Sequence, residues 1–135
     1  MSKEVLCFKI EGKELYLEQI LVDFNDVAIF FLCKNEVQYY IALCADYHES
    51  TYIVAKVTIE DIYKLLHSEL TMRDFILKQK EYYQVYSGFT IDRDKIEKHK
   101  MEDIDESVLP ENEYFKVLTE RIEGYVRMID EIYNK

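Results

Sequence analysis

Tryptophan is absent from this chain of 135 residues, proline occurs once, and there are only three glycines, none close to another. Without clustered glycines there is no Gly-rich loop to cradle a phosphate, so the nucleotide-binding signatures are excluded. The three cysteines, Cys7, Cys33 and Cys44, are an odd number with no C-x-x-C pair. Two sit inside apolar runs, where a thiol behaves as a small hydrophobe, so all three are expected as reduced structural residues of a cytoplasmic protein. No window approaches 18 uninterrupted apolar residues, so no membrane span is expected. The first residues, MSKEVLCFKIEGKE, carry no apolar signal core. Internal repeats and low-complexity segments are also missing.

What is present is a globular composition, 49% apolar, with a formal net charge of −10. A phosphate backbone is a poor partner for such a chain, and a basic protein surface a better one. The excess is uneven: residues 101–135 hold ten acidic and four basic side chains, against 17 and 13 in residues 1–100.

The organising stretch is Val27 to Asp46, two apolar runs about the polar pair Asn35-Glu36. Runs without polar alternation are buried on both faces, which places this hairpin at the centre of a sheet. Val5–Ile10 and Leu15–Phe24 precede it as strands joined at Gly12, and the β-branched run Thr51–Val57 follows. The period then changes. Thr58-Ile-Glu-Asp61 and Thr71-Met-Arg-Asp74 are two helix-start signals, each followed by apolar residues at helical spacing. Tyr82–Tyr86 and Phe89–Ile91 suggest a second hairpin turning at Gly88. Lys95–Asn112 reads as a charged loop ending at Pro110. In the last segment Phe115, Leu118, Ile122, Tyr125, Ile129 and Ile132 are spaced 3, 4, 3, 4, 3, a heptad seam on one long helix. Gly124 within it removes a side chain and would let another backbone come close.

The expected fold is α+β in a single domain: a mostly antiparallel sheet of five to seven strands, two short helices on one face and a long C-terminal helix. Residues 1–100 form the sheet and helical pair, 101–112 an acidic linker and 113–135 the helix. The helix can pack back on the sheet, pair with its own copy or receive a partner.

Candidate chemistry is sparse. Asp46, His48 and Glu49 share a polar loop, but no second ligand cluster accompanies them, so a solvated turn is the expectation and no metal or cofactor is assigned. His67 suits a helix C-terminus, and His99 lies among alternating charges. Three histidines without a spacing relation make neither a triad nor a zinc site. Ser87 and Ser107 have no neighbouring base, so no catalytic residue is assigned. The 12 tyrosines, clustered at Tyr39-Tyr40, Tyr82-Tyr83 and Tyr86, are candidates for an interface, although alternate residues of a strand point to opposite faces.

The landmarks IFFLCKNEVQYYIALCAD, YIVAKVTIEDIYKLL, the L-T-M-R-D-F helix start, and Leu109-Pro110 followed by Tyr114-Phe115 together resemble a family of small bacterial proteins characterised only as a domain of unknown function. The resemblance covers roughly residues 20–115 and implies a shared fold, with no activity or site residues to carry over. The functional expectation is a protein–protein interaction module without enzymatic activity, a homodimer through the seam. The alternatives are an acidic inhibitor or nucleic-acid mimic that blocks a basic groove, and then a small hydrolase or metal enzyme.

Overall fold

The computed structural model describes residues 5–24, 27–46, 50–87, 94–117 and 119–135. Seven strands form one sheet: β1 Leu6–Ile10, β2 Lys13–Phe24, β3 Val27–Lys34, β4 Tyr39–Asp46, β5 Thr51–Val57, β6 Glu81–Tyr86 and β7 Lys95–Lys100. They lie in sequence order, every pair antiparallel. The fold is therefore an α+β meander. Its only long described excursion, between β5 and β6, carries the helices α1 (Ile59–Leu66) and α2 (Met72–Leu77). The helix α3 (Glu120–Tyr133) ends the chain.

The turns explain the tight early hairpins. Glu11 and Gly12 both take positive φ, 53° and 78°, the mirror-image turn whose twist matches that of the flanking strands. After β3, the Asn35 side-chain oxygen accepts hydrogen bonds from the backbone N–H groups of Val37 and Gln38, both at 2.9 Å. That local clamp fixes the central hairpin.

β3 and β4 occupy the third and fourth places of the seven, and their alternation feeds two separate cores. Phe30, Leu32, Ile41 and Leu43 join Ile53, Ala55 and Val57 on one face. Phe31, Cys33, Tyr40 and Ala42 join Val54 and Val85 on the other. Ile62, Leu65, Phe75, Ile76, Ile122 and Ile129 of the three helices belong to the first cluster.

The second cluster has no helix in it, because the sheet rolls over that face. β1 and β6 are five strand steps apart, about 24 Å in a flat sheet. Yet the Tyr83 hydroxyl of β6 donates to Glu11 Oε1, beside β1, at 2.6 Å. Phe8 of β1 meets Tyr52 of β5 edge to face with centroids 5.5 Å apart, and stacks 6.1 Å from Phe31 of β3. Irregularities of register at Leu6/Phe8, Leu17/Gln19 and Ile20/Val22 supply the bending.

The second hairpin expected at Gly88 with Phe89–Ile91 lies outside the described residues; the described strand that follows β6 and pairs with it is Lys95–Lys100, with Tyr86 opposite Lys95. One expectation is corrected: the stretch 95–112 is not simply a loop. Lys95-Ile-Glu-Lys-His-Lys100 is an edge strand whose lysines hide its pattern, as edge strands require.

α1 begins with the capping box that its sequence announced. The Thr58 hydroxyl accepts from Asp61 N at 3.1 Å, and the Asp61 carboxylate accepts from Thr58 N at 3.3 Å. Asp61 is buried and also receives Lys78 Nζ at 2.5 Å and Gln79 Nε2 at 3.2 Å from the end of α2. Burial alone would raise the Asp61 pKa. The Lys78 ammonium, the Gln79 amide and the Thr58 N–H outweigh it and hold the carboxyl below its ordinary value. One side chain therefore starts α1 and fastens α2. Asp61→Ala is expected to cost about 2–3 kcal/mol in urea unfolding at neutral pH. A depressed carboxylate stabilises the fold above its unfolded pKa, and that share disappears as pH falls through the folded value. The gap between wild type and variant should thus narrow on acidification below about pH 4. A gap independent of pH would contradict this role.

Candidate interaction face

Residues 101–117 lead from β7 to α3 as a strap fastened to α2. Met72 N donates to Glu113 O at 2.8 Å, the Thr71 hydroxyl to Asn112 Oδ1 at 2.7 Å, and Arg73 Nε to Pro110 O at 3.1 Å. An isolated β-bridge joins Thr71 and Tyr114. Two 3-10 turns, Met101–Asp103 and Glu106–Val108, shape it, and Met101, Leu109 and Phe115 are buried. The segment read as an acidic linker is thus tied down along its second half.

Thr119 caps α3, accepting from Ile122 N at 3.3 Å. The helix lies against α1. His67 Nε2 and Asp130 Oδ1 are 2.6 Å apart, and Tyr63 stacks on Tyr133 with centroids 4.3 Å apart. Of the six seam residues, Phe115, Ile122, Tyr125 and Ile129 are buried in the core of their own chain. Ile132 is 41% exposed, and Leu118 lies outside the described residues. The helix folds back, so the middle of the seam is turned away from solvent. Gly124 is exposed, and a Cβ there would meet nothing within 4 Å, so among the described residues no backbone from outside the helix approaches it.

A polar cluster that no motif announces gathers around Glu18, near Tyr125 of α3. The Glu18 side chain, only 10% exposed, has its Oε1 3.4 Å from Lys34 Nζ. Lys34 also sits 5.9 Å from the centre of the Tyr39 ring. Burial pushes the Tyr39 hydroxyl pKa up, Glu18 adds to the rise and Lys34 opposes it. Burial, then the charge of Glu18, pushes Tyr125 of α3 up as well. Glu18 Oε2 and the Tyr125 hydroxyl have no hydrogen-bond partner among the described residues.

Tyr40, Tyr82 and Tyr83 are buried, because both faces of the sheet are covered. The clustered tyrosines are mostly core and not a surface feature; among the described residues Tyr114 and Tyr133 are the exposed ones. His48 and Glu49 of the polar loop lie outside the described residues, and no group of three metal-ligating side chains occurs among the described ones. His67 and His99 stand on different elements, and the three cysteines are free. Two open grooves of about 940 and 710 Å³ flank the sheet. The first lies between the β1–β2 and β3–β4 turns, the second between β2 and the strap. Neither is lined by a histidine, cysteine or serine among the described residues.

The outer surface of the strap and α3 is acidic. Glu102, Asp103, Glu106, Glu111 and Glu113 on the strap, and Glu120, Glu123 and Glu131 on α3, are all exposed. Among the described residues none of these eight has a cationic group within 4.0 Å. Lys116, Arg121, Arg127 and Lys135 are the cations of the same segment. Uneven charge was visible in the sequence. That the strap holds these carboxylates out against a fixed support was not.

No family model, curated protein or solved structure matches this chain. The functional reading therefore rests on its own residues. Among the described residues no helix is long and apolar enough to cross a membrane.

The lone hydroxyl of Tyr125 makes a specific demand. A buried donor without a partner costs stability, so Tyr125→Phe should be neutral or stabilising by about 1 kcal/mol in denaturant unfolding. A loss of more than about 1 kcal/mol would mean that the hydroxyl is satisfied and that α3 sits differently over Glu18.

Proposed function

We propose that this chain is a cytoplasmic, non-catalytic binding module that docks a basic surface of another protein through the outer face of the strap and α3. The observation that carries the reading is the set of eight exposed carboxylates, unpaired among the described residues, on a segment fastened to α2 and α1. Unneutralised like charges repel one another, and a cationic partner relieves that repulsion. The three free cysteines fit a reducing compartment. The two short helices, in this reading, lie on one face of the sheet and support the strap from behind. An inhibitor that blocks a basic groove is one form of such a module.

A second reading keeps self-association. Met128, Ile132 and Tyr133 are exposed at the end of α3, and they offer an apolar strip that continues the buried seam.

The reading is tested by affinity capture from lysate of the source organism, with nuclease present, using wild type and the variant Glu106→Lys, Glu111→Lys, Glu113→Lys as baits. A protein held by wild type, released in about 1 M salt where the Debye length is about 3 Å, and absent from the variant is the expected result. A partner indifferent to both salt and charge reversal would overturn the acidic-face reading. Recovery of the bait alone would favour self-association.

A further inference from the structure

The rolled face of the sheet ends in a polar mouth beside the β1–β2 turn. Cross-strand partners point to the same side of a sheet. Lys13 pairs with Ile10, Lys56 with Tyr40, and Lys98 with Tyr83. Ile10, Tyr40 and Tyr83 all belong to the cluster inside the roll. Three lysines from β2, β5 and β7 are therefore brought to one rim, in a protein whose net charge is −10.

The group at their centre is Glu11. Its carboxylate accepts from the Tyr83 hydroxyl at 2.6 Å and lies 3.8 Å from Lys98 Nζ. Lys98 also reaches Glu81 at 3.3 Å and sits 5.7 Å from the centre of the Tyr83 ring. The Tyr83 hydrogen bond, then the charges of Lys98, Lys56 and Lys13, hold the Glu11 carboxyl below its ordinary pKa. Tyr40, whose hydroxyl feels burial and then the charge of Glu11, completes the ring of groups around it. Glu11 is held there in a left-handed backbone conformation, φ 53°, that a non-glycine residue adopts at a cost. An exposed turn residue strained into place, with its carboxylate on a tyrosine hydroxyl, 3.8 Å from Lys98 and in the field of Lys56 and Lys13, has the form of an internal ligand.

We propose that this mouth is a phosphate-binding site, occupied in the free protein by the Glu11 carboxylate. With Glu11 turned out, the described carboxylate paired with this set of lysines is Glu81, on Lys98, so Lys13, Lys56 and Lys98 carry an excess of two positive charges that matches a phosphate dianion. The hydroxyls of Tyr83 and Tyr40 become donors to its oxygens. Glu11 and Gly12, both at positive φ, form the turn that moves. Inorganic phosphate and a phosphate monoester present the same group.

The test is an NMR titration of the full chain, following the ring signals of Tyr40 and Tyr83, with inorganic phosphate in one series and phosphoserine in the other. Glu11→Gly keeps the turn geometry and removes the carboxylate. It should bind at least one of the two probes about tenfold more tightly than wild type, the scale of one removed competing charge. Adding Lys56→Ala to Glu11→Gly should abolish the gain. Response to phosphate alone identifies a free anion, and an equal or stronger response to phosphoserine identifies a phosphorylated ligand. A Glu11→Gly variant that binds neither probe more tightly than wild type, or a gain that survives Lys56→Ala, overturns the proposal. Should Glu11→Gly not fold, Lys56→Ala and Lys98→Ala in the otherwise unchanged chain must each weaken the wild-type response to phosphate, and unchanged responses overturn it equally.

Discussion

Everything in this fold depends on the demand of β3 and β4 to be covered on both faces. A hairpin that alternates Phe30, Leu32, Ile41 and Leu43 with Phe31, Cys33, Tyr40 and Ala42 leaves no side for water. Among the described residues the seven-stranded meander has no second sheet and only three helices to meet that demand. Side chains of α1, α2, α3 and the strap join the cluster that holds Phe30, Leu32, Ile41 and Leu43, and the other face is closed by the sheet itself, rolled until β1 approaches β5 and β6. At about 25 cal/mol per Å² of apolar surface removed from water, leaving either face open would cost more than a domain of this size holds in reserve.

The two solutions leave different marks on the surface. Covering by helices uses the apolar seam of α3, so the helix turns its charged side outward and the strap does the same. Rolling brings distant strand ends together, so Lys13, Lys56 and Lys98 meet around Glu11. The acidic face and the small basic mouth are consequences of how each side of one sheet is closed.

Much of the architecture was legible in residues alone. The unbroken apolar runs gave the central hairpin, and the Thr-x-x-Asp pairs gave both helix starts, because each is a local signal with a local cause. The seventh strand was not legible: Lys95–Lys100 has one apolar residue, and an edge strand with charged side chains has no hydrophobic period to read. The fate of the heptad seam was equally hidden, since a seam that packs on its own sheet and one that pairs with a copy have the same spacing. The tyrosines misled for the opposite reason. Alternation argued for one inward and one outward ring per pair, but in a sheet closed on both faces Tyr82 and Tyr83 are buried together. Glu18, Lys34, Glu11 and Lys98 carry no motif. Only the register and the roll bring them together.

The measurement closest to the centre of this account asks whose sheet α3 covers. In a sample mixed from labelled and unlabelled chains, isotope-filtered NOE spectra separate contacts within a chain from contacts between copies. The rings of Tyr63 and Tyr133, with centroids 4.3 Å apart, are the reporters. The account predicts their cross-peaks in the uniformly labelled sample and none in the filtered spectrum of the mixture. Cross-peaks in the filtered spectrum would mean that α3 is exchanged between two copies, and the acidic face would then belong to a dimer.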